Sequence, residues 1–319
     1  MANKRTIKKM VIFLKMLEIV LIVFLFLLLY LSRPVYTSKV VFLPQGSIST
    51  IITYLQDRNF NLSKIDKFFL AMIGQPQSGW IDIGETKLSK YDFLYKLTTA
   101  KAAMNEITLI PGETTVVFLN LLSKQLNLNF DTLYKEYLKN APLTEGFLVP
   151  ETYKIPKGIS ERHLIYYLIN TSKNQHKKIS EKIFGNFNKT SWIEYLVVAS
   201  IIQKEAANSE EMPLVSSVIY NRLKKNMKLQ MDGTLNYGIY SHDVITADRI
   251  KSDTSKFNTY LYEGLPEIPI CTVSFDSIKA AIFPSKSDYL YFVLDKKNKK
   301  HIFSKTYKEH INVINRQRK

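Results

Sequence analysis

The chain has 319 residues, 46% of them hydrophobic, and a formal net charge of +16. That length and apolar content exclude a disordered chain and suffice for two compact domains beside any membrane segment. A single cysteine, Cys271, excludes an intrachain disulfide. In chain order, Lys4, Arg5, Lys8 and Lys9 precede an apolar run from Met10 to Leu31 that only Lys15 and Glu18 interrupt. About 20 apolar residues cross a hydrocarbon core, so residues 10–31 are predicted to form a transmembrane helix. The basic cluster places residues 1–9 as a cytoplasmic tail, with the remainder outside. A cleaved signal peptide is the competing reading. The segment is long for one, and Ser32-Arg33-Pro34-Val35-Tyr36 offers no small-x-small cleavage site.

Beyond the anchor, Lys39 to Leu43 reads as a strand and Pro44-Gln45-Gly46 as its turn. Ser47 or Ser49 then caps a helix through Leu55, and Ser63 caps a second one carrying Ile65, Phe68, Phe69 and Met72. Trp80 to Ile83 reads as a strand and Ser89 opens a helix through Leu97. These elements make a small α/β module over residues 38–104. Ile107 to Thr114 repeats the strand–turn–helix order and opens a second, mixed α/β domain over 105–319. Within it, Leu122–Leu138 and Ser160–Lys178 are predicted helices, separated by the turn-rich Glu145-Gly146-Phe147-Leu148-Val149-Pro150-Glu151-Thr152-Tyr153.

The most informative segment follows. Trp192 to Glu205 is a nearly all-apolar helix, and Ser191 with Glu194 fits a capping box at its start. Helical spacing sets Glu205 on one stripe with Val198, Ile201 and Ile202, in a last turn where the macrodipole disfavours negative charge. Desolvation and that position both raise a carboxyl pKa, and a neutral carboxylic acid can protonate a glycosidic oxygen. Taken alone, the placement also fits a solvated Glu paired with Lys204 at a frayed end. A further helix is expected from Ser209, with Glu210 and Glu211 in its first turn.

The ordered set Ala199-Ser200-Ile201-Ile202-Gln203-Lys204-Glu205, Val218-Ile219-Tyr220-Asn221-Arg222-Leu223 and Leu229-Gln230-Met231-Asp232-Gly233-Thr234 resembles the endolytic murein transglycosylases of the MltG (YceG-like) family. Phe257-Asn258-Thr259-Tyr260, Gly264-Leu265-Pro266, Tyr289-Leu290-Tyr291-Phe292-Val293 and His301-Ile302-Phe303-Ser304 continue it. The match covers roughly residues 38–319. Two positions depart: Gln203 stands where the pattern usually carries an acid, and Gly233 where it usually carries proline. The stretch Glu267 to Ser274 departs as well.

The resemblance implies an α+β architecture: an anchor helix, a LysM-like glycan-binding module and a catalytic domain that cuts peptidoglycan strands internally. Glu205 takes the catalytic role. It would protonate the bond between N-acetylmuramic acid and N-acetylglucosamine, then take the proton of the C6 hydroxyl as a 1,6-anhydro ring closes. One carboxyl serves both steps, whereas most hydrolases use two. Asn221, Gln230, Asp232, Tyr237, Asn258 and Tyr260 are the candidate substrate-binding residues, with chain-length control as the expected outcome. Each has a structural alternative: Asn, Gln and Asp satisfy turns, and tyrosines pack. Arg222 fits a pair with Glu210 or Glu211.

No zinc spacing, phosphate loop or nucleophile elbow is present, so neither a metal nor a cofactor is implied. His242 and His301 have no partner at ligand spacing. Nine Lys or Arg lie between Lys296 and Lys319 against the lone acid Glu309, which suits a polyanion. Behind an export anchor that polyanion is not nucleic acid. The expected partners are glycan strands, the cytoplasmic (inner) membrane and peptidoglycan synthases, the penicillin-binding proteins. A membrane-anchored glycan-binding scaffold with little turnover is the rival reading.

Overall fold

The computed structural model describes residues 4–317. Residues 1–3 of the expected tail, and Arg318 and Lys319 of the basic C-terminus, lie outside that range. The chain divides into two compact units. One runs to Asn105 and includes Pro156–Gly158; the other comprises Glu106–Ile155 and Ile159–Lys319.

The first unit begins with helix α1 (Lys4–Leu31), whose stretch Lys8–Leu31 is long and apolar enough to cross a membrane, with its apolar side chains exposed. Strand β1 (Pro34–Tyr36) pairs antiparallel with β4 (Lys87–Ser89), and β2 (Val40–Leu43) with β3 (Gly79–Asp82). The three-residue pair β1–β4 carries too short a pattern to be read from sequence. Helices α2 (Ile48–Gln56), α3 (Asp66–Ile73) and α4 (Lys90–Thr99) complete the unit. Ser47 and Ser89 cap α2 and α4, accepting from Thr50 N at 3.2 Å and Asp92 N at 3.1 Å. Ser63 is not the cap of α3: the helix begins three residues later, and Asp66 Oδ2 instead accepts the Ser63 N–H at 2.6 Å. Asp66 is fully buried because its carboxylate also meets Lys90 Nζ at 3.2 Å and the hydroxyl of Tyr30, in the last turn of α1, at 2.9 Å.

Strands β5 (Met104–Thr108) and β6 (Thr152–Pro156), which pair with each other, lie mostly in the second unit. The stretch expected as one helix over 122–138 is two, α5 (Thr115–Leu126) and α6 (Phe130–Asn140). Asn127, at φ 54°, ends the first in the left-handed region that Asn tolerates, and Asn129 caps the second. Helix α7 (Glu161–Phe184) packs on α6, around a core of Phe118, Leu122, Tyr137, Tyr153 and Leu168.

A second core surrounds α8 (Lys189–Glu205), which starts earlier than expected. Asn188 Oδ1, not Ser191, caps it, accepting from Thr190 N at 3.0 Å and Ser191 N at 3.2 Å. From Leu196 to Ile202 every residue is buried, so this stretch of α8 has no solvent face; a helix apolar all round belongs in the interior. It is enclosed by α9 (Met212–Lys224), α11 (Phe275–Ile282) and a 3-10 turn at Asp232–Leu235. Helix α9 begins at Met212 with Pro213 in its first turn. Glu210 and Glu211 precede it, and Glu211 Oε2 meets His301 Nδ1 at 2.9 Å. The short α10 (Ala247–Ser252), the antiparallel pair β7 (Tyr291–Asp295) and β8 (Lys300–Ser304), and α12 (Tyr307–Gln317) complete the unit.

Candidate active site

Helix α8 delivers Glu205 at its C-terminal end, and the next residue, Ala206, is already extended. The side chain is half-buried on the wall of a cleft of about 380 Å³. Asp232, Gln230, Tyr260 and Arg222 share that wall with Tyr291, His301, Tyr307 and His310 from the C-terminal elements. Lys204 does not pair with the acid: its Nζ turns away to Ser241 O at 3.2 Å. Glu205 Oε1 accepts the backbone N–H of Gly233 at 2.7 Å.

Burial is the largest influence on this carboxyl and pushes its pKa up to about 7. The Gly233 N–H favours the anion, the charge of Asp232 opposes it, and Arg222 acts weakly in the same sense as the N–H. At neutral pH the group is therefore poised between acid and base. Arg222 is itself buried, which lowers its pKa, and it is anchored by main chain rather than by Glu210 or Glu211. Its guanidinium donates to Leu290 O at 2.7 Å and Leu229 O at 2.6 Å.

The backbone opposite the acid is clamped by Thr259. Its hydroxyl accepts from Met231 N at 3.0 Å and meets Thr234 Oγ1 at 3.1 Å, and its carbonyl accepts from Gln230 N at 3.1 Å. Gln230 is exposed on the cleft with φ 48°, a conformation uncommon outside glycine that the surrounding structure must enforce. Asp232 is exposed, and Tyr260 donates its hydroxyl to Asp232 Oδ1 at 2.6 Å. Burial, and then this bond, raise the Tyr260 pKa, so the phenol keeps its proton.

Of the six residues expected to bind substrate, the cleft gathers Gln230, Asp232 and Tyr260. Asn221 and Asn258 instead spend their amides on main chain. Asn221 Nδ2 donates to Ser287 O and Tyr289 O at 2.8 and 3.0 Å, and the fully buried Asn258 donates to Ile250 O and Asp253 O at 2.8 and 2.7 Å. Tyr237 stacks on Phe257 with ring centroids 4.3 Å apart and lines other hollows. A cavity of about 400 Å³ beside Phe147, Ile169, Trp192 and Leu196 contains no carboxyl among its wall residues.

Sequence reasoning missed Tyr291, Tyr307 and His310, and treated His301 as incidental. Tyr307 and His310 lie three apart on α12, the spacing of one helical face, but nothing local says what that face meets. Gln203, the departure two residues before the acid, holds the irregular loop: its Oε1 accepts the Ser274 N–H at 3.1 Å.

Comparison with known proteins places the chain among relatives. The sequence pattern of the YceG-like family matches residues 41–316. The endolytic murein transglycosylase of Bacillus subtilis is 36% identical over 205 residues, covering 60% of this chain and 53% of that protein. The endolytic murein transglycosylase of Streptococcus pneumoniae is 31% identical over 171 residues, 52% of this chain and 31% of its own length. The chain thus spans about half or less of the relatives it matches in sequence. The crystal structure of a yceG-like protein from Listeria monocytogenes superposes with a TM-score of 0.56 at 28% identity, covering 88% of this chain and 99% of that one.

Proposed function

The chain belongs to the YceG-like family, and from that membership we propose that it is a membrane-anchored peptidoglycan lytic transglycosylase that cuts glycan strands internally. The observation that carries this reading is Glu205, a half-buried carboxyl on the wall of that cleft, held by a single backbone N–H and pushed up to about 7. Protonated, it donates to the oxygen between N-acetylmuramic acid and N-acetylglucosamine as that bond breaks. As the anion, it takes the proton of the C6 hydroxyl, whose oxygen attacks C1 and closes a 1,6-anhydro ring. The proton count closes without water, and no second carboxylate is required. Gln230 offers an amide to acetamido or hydroxyl groups, and Tyr260 and Tyr291 offer ring faces. Trimming nascent strands in this way would set their length. The test is the mass of the strand ends released by the full chain. Anhydro ends support the reading; reducing ends carrying an oxygen from water would make the enzyme a hydrolase, and no new ends would make it a scaffold.

The anchor reading rests on α1 and on what its last turn touches. Tyr30 meets Asp66 and Ser63, at 2.9 and 2.6 Å, and its ring lies 4.0 Å from Lys90 Nζ. Cleavage at the end of α1 would strip a partner from a buried ion pair, which supports retention of the helix. A mature protein lacking the peptide around Lys15 would overturn it. The small first unit is proposed to be LysM-like, positioning glycan without taking part in the chemistry. Strand cleavage surviving its removal only at high substrate concentration would fit that division. Loss at saturating substrate, with the remainder folded, would sink it.

A further inference from the structure

Glu205 has two carboxyl oxygens and only one of them is held. Gly233 donates its N–H to Oε1 at 2.7 Å, while among the described residues no hydrogen-bond donor reaches Oε2. The approach depends on glycine. A Cβ at position 233 would stand 2.8 Å from Glu205 Oε1 and 2.7 Å from Lys204 Cβ, closer than side-chain carbons pack. Gly233 is also buried, in a turn fixed from the other side by Thr259 through Met231 and Thr234. The amide therefore cannot drift from the acid without moving the whole turn.

We infer that the Gly233 backbone amide is the positioning group of this active site, fastening Oε1 as the carbonyl oxygen and leaving Oε2 to carry the proton that is given and taken. An oxygen that accepts a short N–H bond is the better acceptor when it is the C=O of the acid, so the hydroxyl settles on the other oxygen. Rotation about the last bond of the side chain is stopped as well, and Oε2 keeps one orientation through both proton transfers.

The inference rests on Glu205 as the acid, and its test separates the two. The full chain in detergent is compared with Gly233→Pro, which deletes the N–H, Gly233→Ala, which pushes it back, and Glu205→Gln. An N–H bonded to a carboxylate favours the anion. Losing it raises the pKa, and the high-pH limb of the rate profile moves upward by about one unit, less for alanine. A rate lost at every pH with the limb unmoved would mean that the glycine only makes room, and overturns the inference. Carboxyl labelling by a carbodiimide, followed at the Glu205 peptide by mass spectrometry across pH, reads the same midpoint when turnover is lost. An unshifted midpoint in both glycine variants has the same consequence. A Glu205→Gln protein with near-normal cleavage would remove the acid assignment, while the labelling midpoints still report whether Gly233 governs this carboxyl.

Discussion

Glu145 and Glu205 are both carboxyls that burial pushes up to about 7, in different regions of the same unit. Each also accepts a glycine N–H on Oε1, but they differ in how many donors they hold and in which end of a helix they meet. Glu145 is 7% exposed and precedes the core residue Phe147. Its Oε1 takes three donors at once: Thr115 N at 2.8 Å, Thr115 Oγ1 at 2.7 Å and Gly146 N at 2.8 Å. Thr115 opens α5, so this carboxyl satisfies an otherwise unpaired N–H at a helix start, where negative charge is favoured. Glu205 closes a helix, where the macrodipole opposes a carboxylate, and a single N–H holds it at a cleft. A raised pKa therefore does not identify a catalytic group. What separates the two is the number of donors already committed and the place each occupies: three donors at a helix start for Glu145, one at a helix end on the cleft wall for Glu205.

The sharpest way to break the comparison is to replace each residue by glutamine. Glu205→Gln keeps an acceptor for the Gly233 N–H but cannot transfer a proton, so strand cleavage is expected to fall ~10²–10⁴-fold with thermal stability little changed. Glu145→Gln keeps an oxygen for the three donors, and cleavage per folded molecule should stay within about two-fold of the parent, since the contacts of Glu145 are structural. Assays of anhydro ends on the two variants decide it. A large loss from Glu145→Gln at unchanged stability would move the chemistry to the wrong carboxyl.

Truncation reverses the ranking. Glu145→Ala leaves Thr115 N, Thr115 Oγ1 and Gly146 N without their acceptor, and an orphaned buried donor costs about 1–3 kcal/mol. A lower urea midpoint with normal cleavage below the transition is the expected pair of results. Both carboxyls also tie stability to pH. Each holds its proton to about pH 7 when folded, against an ordinary value of 4.5. The folded state then binds more protons than the unfolded one between those limits. Their contribution is full below about pH 4.5 and is lost as pH rises through 7. Urea midpoints from about pH 5 to 8 should fall less steeply in Glu145→Gln than in the parent, and an unchanged slope would contradict the raised value.

This contrast also shows what the sequence could and could not disclose. The apolar run of α8 and its terminal acid were legible because helical spacing is local, and so were the serine caps of α2 and α4. Asn258 was misjudged for a physical reason. An amide in a turn next to Tyr260 has the right chemistry for sugars, yet the fold spends it on Ile250 O and Asp253 O. The far wall of the cleft was illegible because Tyr291, Tyr307 and His310 come from elements far down the chain from Arg222 and Glu205. The asymmetric hold on Glu205 was illegible too: Gly233 reads as a looser turn in sequence, and only the packing shows a donor brought against the acid.

The smallest expected effect concerns the neighbouring acid, Asp232, and it has a definite sign. Asp232 is exposed, so solvent screens its charge, but that charge still contributes to raising the Glu205 pKa. Asn at this position keeps an oxygen for the Tyr260 hydroxyl and removes the charge. Glu205 should then lose its proton at slightly lower pH. The high-pH limb of cleavage moves down by roughly a few tenths of a unit, a size set by the weakness of exposed charge pairs. Below about pH 6 the rates should coincide; near about pH 8 the variant should be about two-fold slower. The direction is opposite to that expected for Gly233→Pro, so the two profiles bracket the parent. A hydrolase using Asp232 to activate water would behave otherwise: Asp232→Asn would lose orders of magnitude at every pH, and the parent's products would end in reducing sugars.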